Sequence, residues 1–267
     1  MLDHSPGSED AAASSDPFVF HEVTDAGGRA VHVAFTSVQA GNLAFHVLPD
    51  GSGHQRERAR EGVAAARTRL EERMGVDAGS TAFVDQIHSA DVVDADGAGW
   101  GDGPVPVGDA IVSAGGSQAL AIMVADCLPV VFVDPVTGAT AVAHAGRRGL
   151  LDGVLQNTLD RLAALRPADA GPGEPVRAWI GPGVCGACYE VPEQMRAESA
   201  TVLPVASATT SWGTPSLDLP AGAEAVLAAR GVDVHRVQLC TVEDERLFSH
   251  RRAPGRGRFA GLVWRTP

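Results

Sequence analysis

Apolar and polar residues alternate from Phe18 to Val23 and again from Ala30 to Thr36, with turn residues Asp25-Ala-Gly-Gly28 between them, which predicts a β-hairpin. The period then changes. From Gln55 to Met74 the chain is rich in Arg, Glu and Ala, carries Val63, Ala66, Leu70 and Met74 at helical spacing, and stops before Gly75. That pattern predicts an amphipathic helix. A short strand at Thr81 to Val84 leads into Asp85-Gln-Ile-His-Ser-Ala-Asp91, and Gly97 to Gly108 is a Gly/Pro loop. Ala119 to Val124 and Pro129 to Asp134 are apolar enough for buried strands. Asp134-Pro-Val-Thr-Gly138 is a turn, because Pro presets one dihedral and Gly permits positive φ, and Ala139 to His144 returns as the partner strand. Leu150 to Leu165 predicts a helix with Leu151, Val154, Leu155, Leu162 and Leu165 on one face. After a linker at Arg166 to Pro175 come a strand at Val176 to Ile180, helices at Pro192 to Val202 and Ala221 to Arg230, and strands near Val234 to Leu239 and Phe259 to Trp264. Strands and helices mix without a strict βαβ rhythm and no repeat is visible, so the fold class is α+β with mixed β-sheets.

The central hairpin carries the chemistry. If its turn is centred on Val136, Cys127 falls within a residue of standing opposite His144, where cross-strand Cβ atoms are about 5 Å apart. A buried Cys and a polar His at strand ends would satisfy the same pattern. The residues that follow favour a site. His144 runs into Ala145-Gly-Arg-Arg-Gly149 at a helix start, where backbone N–H groups attract anions and where Arg147 and Arg148 would otherwise oppose the dipole. His88, in a loop flanked by Gln86, Ser89 and Asp91, supplies a third imidazole or thiol donor. Two His and one Cys match the ligand set of catalytic zinc sites that keep a fourth position for water or substrate. The rival is a Cys–His hydrolase, in which Cys127 is the nucleophile, His144 its base and His88 only a polar neighbour.

Composition narrows the class. The chain has 267 residues, 45% of them apolar, enough for one large domain or two intimate ones. Its net charge of −12 is diffuse, which disfavours nucleic-acid and membrane-surface partners. Residues 1–16 are small, polar and acidic, and are expected to be a disordered extension rather than a signal peptide. No apolar run is long enough to span a bilayer. Four cysteines are too few for a disulfide framework, so a reducing cytoplasm fits. Cys185-Gly-Ala-Cys188 with Cys240 and His250 could bind a structural zinc, but a lone C-x-x-C is a weak signal, and buried or substrate-lining thiols are the preferred reading. None of the nine histidines forms the His-x-His pairs that a multicopper laccase needs.

Several segments run in order along the chain: Gly41-Asn-Leu-Ala-Phe-His-Val47, Gln86-Ile-His-Ser-Ala-Asp91, Gly108-Asp-Ala110, Ala125-Asp-Cys127 with Pro129, Ala143-His-Ala-Gly146 with Arg148-Gly149, Gly181-Pro182, Cys188-Tyr-Glu190, and Phe248-Ser249 with Arg251-Arg252. Together they resemble a family known variously as multicopper polyphenol oxidase, laccase-domain protein, peptidoglycan editing factor and purine nucleoside phosphorylase. The resemblance implies one domain, 17–267, with a four-layer α/β/β/α arrangement. It implies His88, Cys127 and His144 as metal ligands, zinc as the metal with copper as the alternative, and Asn42, Arg67, Gln86 and Arg148 as substrate or phosphate contacts. The implied activity is phosphorolysis of adenosine, inosine and methylthioadenosine, with adenosine deamination, by a cytoplasmic monomer whose partners are nucleoside and phosphate. An amidase acting on peptidoglycan precursors is the alternative, and a copper-dependent polyphenol oxidase is disfavoured because the chain lacks the His-x-His pairs named above. The chain departs from the family at Arg147, where Trp is usual, at His250, where Tyr is, and at Ala66, where Asn is. The general acid stays open among Gln86, Asp91, Asp126 and Glu190, and the zinc deaminase signature His-x-Glu with Pro-Cys-x-x-Cys is absent.

Overall fold

Five helices and twelve strands follow one another along the chain in the computed structural model, which describes residues 16–48, 51–96, 100, 104–167 and 173–266. The extension expected at 1–16 lies outside the described residues except for Asp16, as do parts of the Gly97–Gly108 loop and of the 166–175 linker. In order the elements are β1 (Phe18–Ala26), β2 (Arg29–Thr36), α1 (Gly53–Met74), β3 (Val92–Asp94), β4 (Ala110–Ser113), β5 (Leu120–Val124) and β6 (Leu128–Val133). They continue with β7 (Thr140–Ala145), α2 (Arg147–Asp152), α3 (Val154–Ala163), β8 (Arg177–Ile180), α4 (Glu193–Val202), β9 (Ser207–Thr209), β10 (Pro215–Leu217), α5 (Leu219–Ala229), β11 (Asp233–Arg236) and β12 (Phe259–Trp264).

The strands form a four-stranded antiparallel sheet, β1-β2-β12-β5, a six-stranded mixed sheet, β11-β8-β6-β7-β4-β3, in which the two outer pairs are parallel, and a small antiparallel pair, β9-β10. Strand period assigns the side chains to layers. Val31, Val33, Phe35, Leu120, Ile122 and Val263 of the first sheet meet Ile111, Val131, Val133, Val142 and Trp179 of the second. On the far side of the first sheet, Ala34, Ala121, Leu262 and Trp264 pack against Ala66, Leu70 and Met74 of α1. On the far side of the second, Val130, Phe132, Ala141 and Ala143 pack against Leu155, Leu159 and Leu162 of α3 and Ala223 and Leu227 of α5. The result is one domain of four layers, helix, sheet, sheet, helix. No helix among the described residues is long and apolar enough to cross a membrane.

Three expectations change. Thr81 to Val84 makes only one isolated bridge, Ala82 to Leu120, with another just after it from Asp85 to Val107, rather than a ladder. The helix expected at Leu150 to Leu165 is two helices, α2 and α3, because Gly153 turns left-handed (φ 96°) and ends the first. The central hairpin pairs Leu128 with Ala145 and Pro129 with His144, so Cys127 faces Gly146 and lies diagonal to His144 instead of opposite it. Positions two apart share a face, so Cys127 and His144 still converge.

Asp134 fixes that register. Its N–H donates to the Ala139 carbonyl, its own carbonyl accepts from Gly138 N–H, and its fully buried carboxylate accepts from Val136 N–H and, through both oxygens, from Arg166. Burial alone would raise this carboxyl, but the Arg166 bonds, with those of Val136 and Thr137, hold it below its ordinary 3.8. A depressed carboxylate stabilises the fold above its unfolded pKa and loses that contribution as pH falls through the folded value. Asp134→Asn is therefore expected to cost about 3 kcal/mol at pH 7. In urea unfolding, the gap between wild type and variant should close as pH drops below about 4. A gap independent of pH would mean that the charge is not what matters at this turn.

Candidate active site

His144 is the next-to-last residue of β7, buried, and on the face of the strand that points between the sheets. Asp109, immediately before β4, holds it twice: its carbonyl accepts the His144 N–H at 2.7 Å, and its carboxylate Oδ1 lies 2.8 Å from Nδ1. A carboxylate only accepts, so Nδ1 carries a proton, and Nε2 becomes the lone-pair donor once its own proton leaves. The same carboxylate, fully buried, also accepts from the N–H groups of Ile87, His88 and Ser89 and from the Ser89 hydroxyl. Those bonds fold the 87–89 loop over the end of the sheet and keep His88 in the left-handed region at φ 61°. A non-glycine residue there is strained by about 1–3 kcal/mol unless its surroundings enforce it.

Cys127 is aimed by a second such residue. Asp126 has φ 85°, and its carboxylate accepts from the Thr241 hydroxyl at 2.6 Å and from Arg251 N–H at 2.7 Å. His88 and Asp126 are the non-glycine residues at positive φ among those described, and both border the same three side chains. The Cys127 thiol lies 3.8 Å from His88 Nε2, the two imidazoles meet edge to face at 4.6 Å, and the donor atoms of His88, Cys127 and His144 lie within 4.8 Å of one another. Gly146 makes the room. A Cβ there would stand 2.9 Å from both the Cys127 sulfur and His88 Cδ2.

Burial opposes charge on Cys127 and His144, yet each favours the other's ion, and His88 and Asp109 reinforce the pair. Cys127 is lowered to about 6 and His144 is raised to about 9. Asp109, although desolvation raises it, is held at about 2 by His144 and by the Ser89 donors. A thiolate, two imidazoles and an outer carboxylate on one of them form a donor set that could hold a metal ion. With metal–sulfur and metal–nitrogen bonds of about 2.3 and 2.0 Å, tetrahedral donors stand about 3.5 Å apart, so the 3.8 Å spacing of Cys127 and His88 fits.

The three side chains sit in a cleft of about 600 Å³ whose walls include His46, Gln86, Tyr189, His250, Arg251 and Arg258. Arg251 lies 5.0 Å over the Tyr189 ring. Burial raises the Tyr189 hydroxyl, as does the charge on Cys127, so it is a donor at neutral pH. Burial, with Arg258 beside it, lowers His46.

The family described as multi-copper polyphenol oxidoreductase laccase matches residues 30–266. The chain belongs to that family. A relative from Streptomyces coelicolor named purine nucleoside phosphorylase is 48% identical over 203 residues, 76% of this chain and 82% of the relative. A relative of the same name from Corynebacterium glutamicum is 37% identical, over 84% and 86% of the two chains. Among solved structures, a Neisseria meningitidis protein is similar with a TM-score of 0.74 and 31% identity, covering 94% of this chain and 100% of its own. YlmD from Geobacillus stearothermophilus has a TM-score of 0.74 and 27% identity, with 89% and 92% covered.

Within this laccase-type chain, the residues singled out by sequence are not all gathered in the cleft. His88, Cys127 and His144 are together. Gln86 lines the cleft, but its amide is occupied at both ends by the backbone of Met123. Asn42 works inside its own loop, bonded to Ala44, Val47 and Arg258 N–H. Arg67 is half-buried between Phe45 and Phe83 and donates to the Leu43 carbonyl behind the wall. Arg148 is outside the cleft lining; its side chain is 68% exposed and pairs with Asp152 one turn on, and α2, which starts at Arg147, has only six residues. Of the open general-acid candidates, Asp91 and Glu190 do not line the cleft, Glu190 accepting from Trp212, and both Asp126 oxygens are engaged. Asp109, His46, Arg251 and Arg258 received no role from sequence, although all but Arg258 fall inside the quoted motifs.

Asp109→Asn keeps the shape of this carboxylate but loses the charge behind His144. Affinity for a metal ion at the trio, measured by competition with a chromophoric chelator, should fall about 10–100-fold. Wild-type affinity in that variant would remove Asp109 from the site.

Proposed function

We propose that the chain is a zinc-dependent purine nucleoside phosphorylase acting on adenosine, inosine and methylthioadenosine, with adenosine deamination in the same cleft, working as a monomer in the cytoplasm. The observation that carries this reading is the trio of His88, Cys127 and His144 on the floor of a cleft that also presents two arginines and an aromatic ring. The names of the relatives support the reaction class. Two imidazoles and a thiolate with a side open to the cleft suit catalytic zinc better than the oxidase's copper set. Zinc held there would supply Lewis acidity at the reacting end of the cleft.

In phosphorolysis a phosphate oxygen bonds to the sugar's anomeric carbon as the bond from that carbon to the purine nitrogen breaks. The electron pair leaves with the purine, which takes up a proton. Arg251 and Arg258 are suited to hold the phosphate, the latter cationic even though burial lowers it, because Cys127 and Asp126 pull it back up. The Tyr189 ring offers a surface for the base, and its hydroxyl, which keeps its proton, is the cleft group best suited to donate one to it. In deamination, water adds at the amino-bearing carbon of adenosine and ammonia departs, leaving inosine.

The Cys127 thiolate beside a protonated His144 favours one second reading, a Cys–His hydrolase. The readings separate in one experiment. Adenosine with phosphate should give adenine and ribose 1-phosphate in equal amounts, chelation should stop the reaction, and zinc should restore it. Wild-type turnover by metal-free His88→Ala would sink the zinc mechanism and leave Cys127 and His144 as the catalytic pair.

The arginines make a separate prediction. Arg258→Ala should raise the phosphate KM about tenfold or more, the loss of one charge-assisted bond, while Arg148→Ala leaves it within about twofold. The opposite order would move the phosphate to the start of α2.

A further inference from the structure

We propose that Cys185, Cys188, Cys240 and Glu243 form a second metal centre, a closed structural zinc site apart from the catalytic trio. The four ligand atoms lie within 4.8 Å of one another, and none of these residues lines the catalytic cleft. The sequence pairs Cys185 with Cys188 and Cys240 with Glu243, each pair three residues apart. The two segments adopt the same turn. The Cys185 carbonyl accepts from the N–H groups of Cys188 and Tyr189 at 3.0 and 2.9 Å, and the Cys240 carbonyl accepts from those of Glu243 and Asp244 at 3.1 and 2.9 Å. Two such turns facing each other supply four donors in the manner of paired zinc knuckles.

The backbone holds them face to face without help from any ion. Gly183 and Cys240 form a parallel bridge, Thr241 N–H donates to the Gly183 carbonyl, and Cys185 N–H donates to the Cys240 sulfur at 3.5 Å. The Cys188 thiol donates to the Glu243 carboxylate at 3.4 Å. Cys188 and Cys240 are buried at 6% and 8% exposure, whereas Glu243 is exposed, so the sulfurs form the inner side and the carboxylate the outer. Three thiolates and one carboxylate oxygen suit a tetrahedral zinc far better than magnesium or calcium. A disulfide would join two of the thiols and leave the third, with Glu243, unused. His250, the alternative fourth ligand from sequence, lines the catalytic cleft instead.

The site would brace the catalytic wall. Tyr189 follows Cys188, and Thr241, which follows Cys240, donates to Asp126 beside Cys127. Arg252 donates to the carbonyls of Thr241, Val242 and Asp244, so the 240–244 turn also holds the segment that bears His250 and Arg251.

The test is zinc stoichiometry of the full chain purified under reducing conditions, read by native mass spectrometry. Wild type should hold two zinc ions, Cys127→Ala one, and Cys188→Ser/Cys240→Ser one. X-ray absorption of the zinc kept by Cys127→Ala should show a shell of three sulfurs and one oxygen. If the double serine variant does not fold, Glu243→Gln, at an exposed position, should weaken the second ion about tenfold or more and leave the first unchanged. Cys127→Ala without zinc overturns the proposal, as does a wild-type mass 2 Da below the fully reduced value. A single wild-type zinc that survives Cys127→Ala and is lost in Cys188→Ser/Cys240→Ser would uphold it while removing the ion from the catalytic trio.

Discussion

One buried carboxylate holds the candidate site together. Asp109 accepts five hydrogen bonds, four from the loop that carries His88 and one from His144. A buried carboxylate this well satisfied is strongly favoured in its charged form, and it transmits that charge to the one imidazole it touches. Without it, the loop has no partner for its N–H groups and no reason to keep His88 left-handed. The site therefore depends less on the three donor residues than on the group that none of them contains.

The second constraint is geometric. Cys127 lies just before β6 and His144 near the end of the adjacent β7, yet the cleft above them is also walled by residues of the other sheet and its connections, Met123 near the end of β5 and Arg258 just before β12. The cleft lies where the two sheets cease to cover each other, with Asp126 as the hinge: its carbonyl ties to Val184 N–H and its carboxylate to Thr241 and Arg251. This single residue joins three segments far apart in sequence and turns the thiol toward the two imidazoles.

What sequence revealed follows from what is local. The hairpin from Pro129 to His144 was legible because Asp134, Pro135 and Gly138 carry turn chemistry in their own side chains. The buried face of α1, Val63, Ala66, Leu70 and Met74, was legible from period alone. The hairpin's register differs by one residue from a turn centred on Val136, since a six-residue connection between Val133 and Thr140 leaves so small a slip invisible to composition. The role of Asp109 was not legible, because it arises only when β4 pairs with β7, more than thirty residues on. β4 itself is four residues emerging from a Gly/Pro loop, too short for its period to register. Arg148 misled for the opposite reason. Its neighbour at the next turn, Asp152, was in plain view as an i,i+4 partner and accounts for its charge.

The strand β12 is the last element of the chain described, yet it lies in the interior of its sheet, hydrogen-bonded to β2 on one side and β5 on the other. During synthesis, all three donors of the trio leave the ribosome more than a hundred residues before the strand that closes the sheet over them. Until then β2 and β5 expose open edges to other nascent chains. The sheet can therefore close only once β12 has been made, and its assembly belongs to the slow, long-range class of folding reactions. A cell making this protein has a reason to keep it with a chaperone until residue 264 is out.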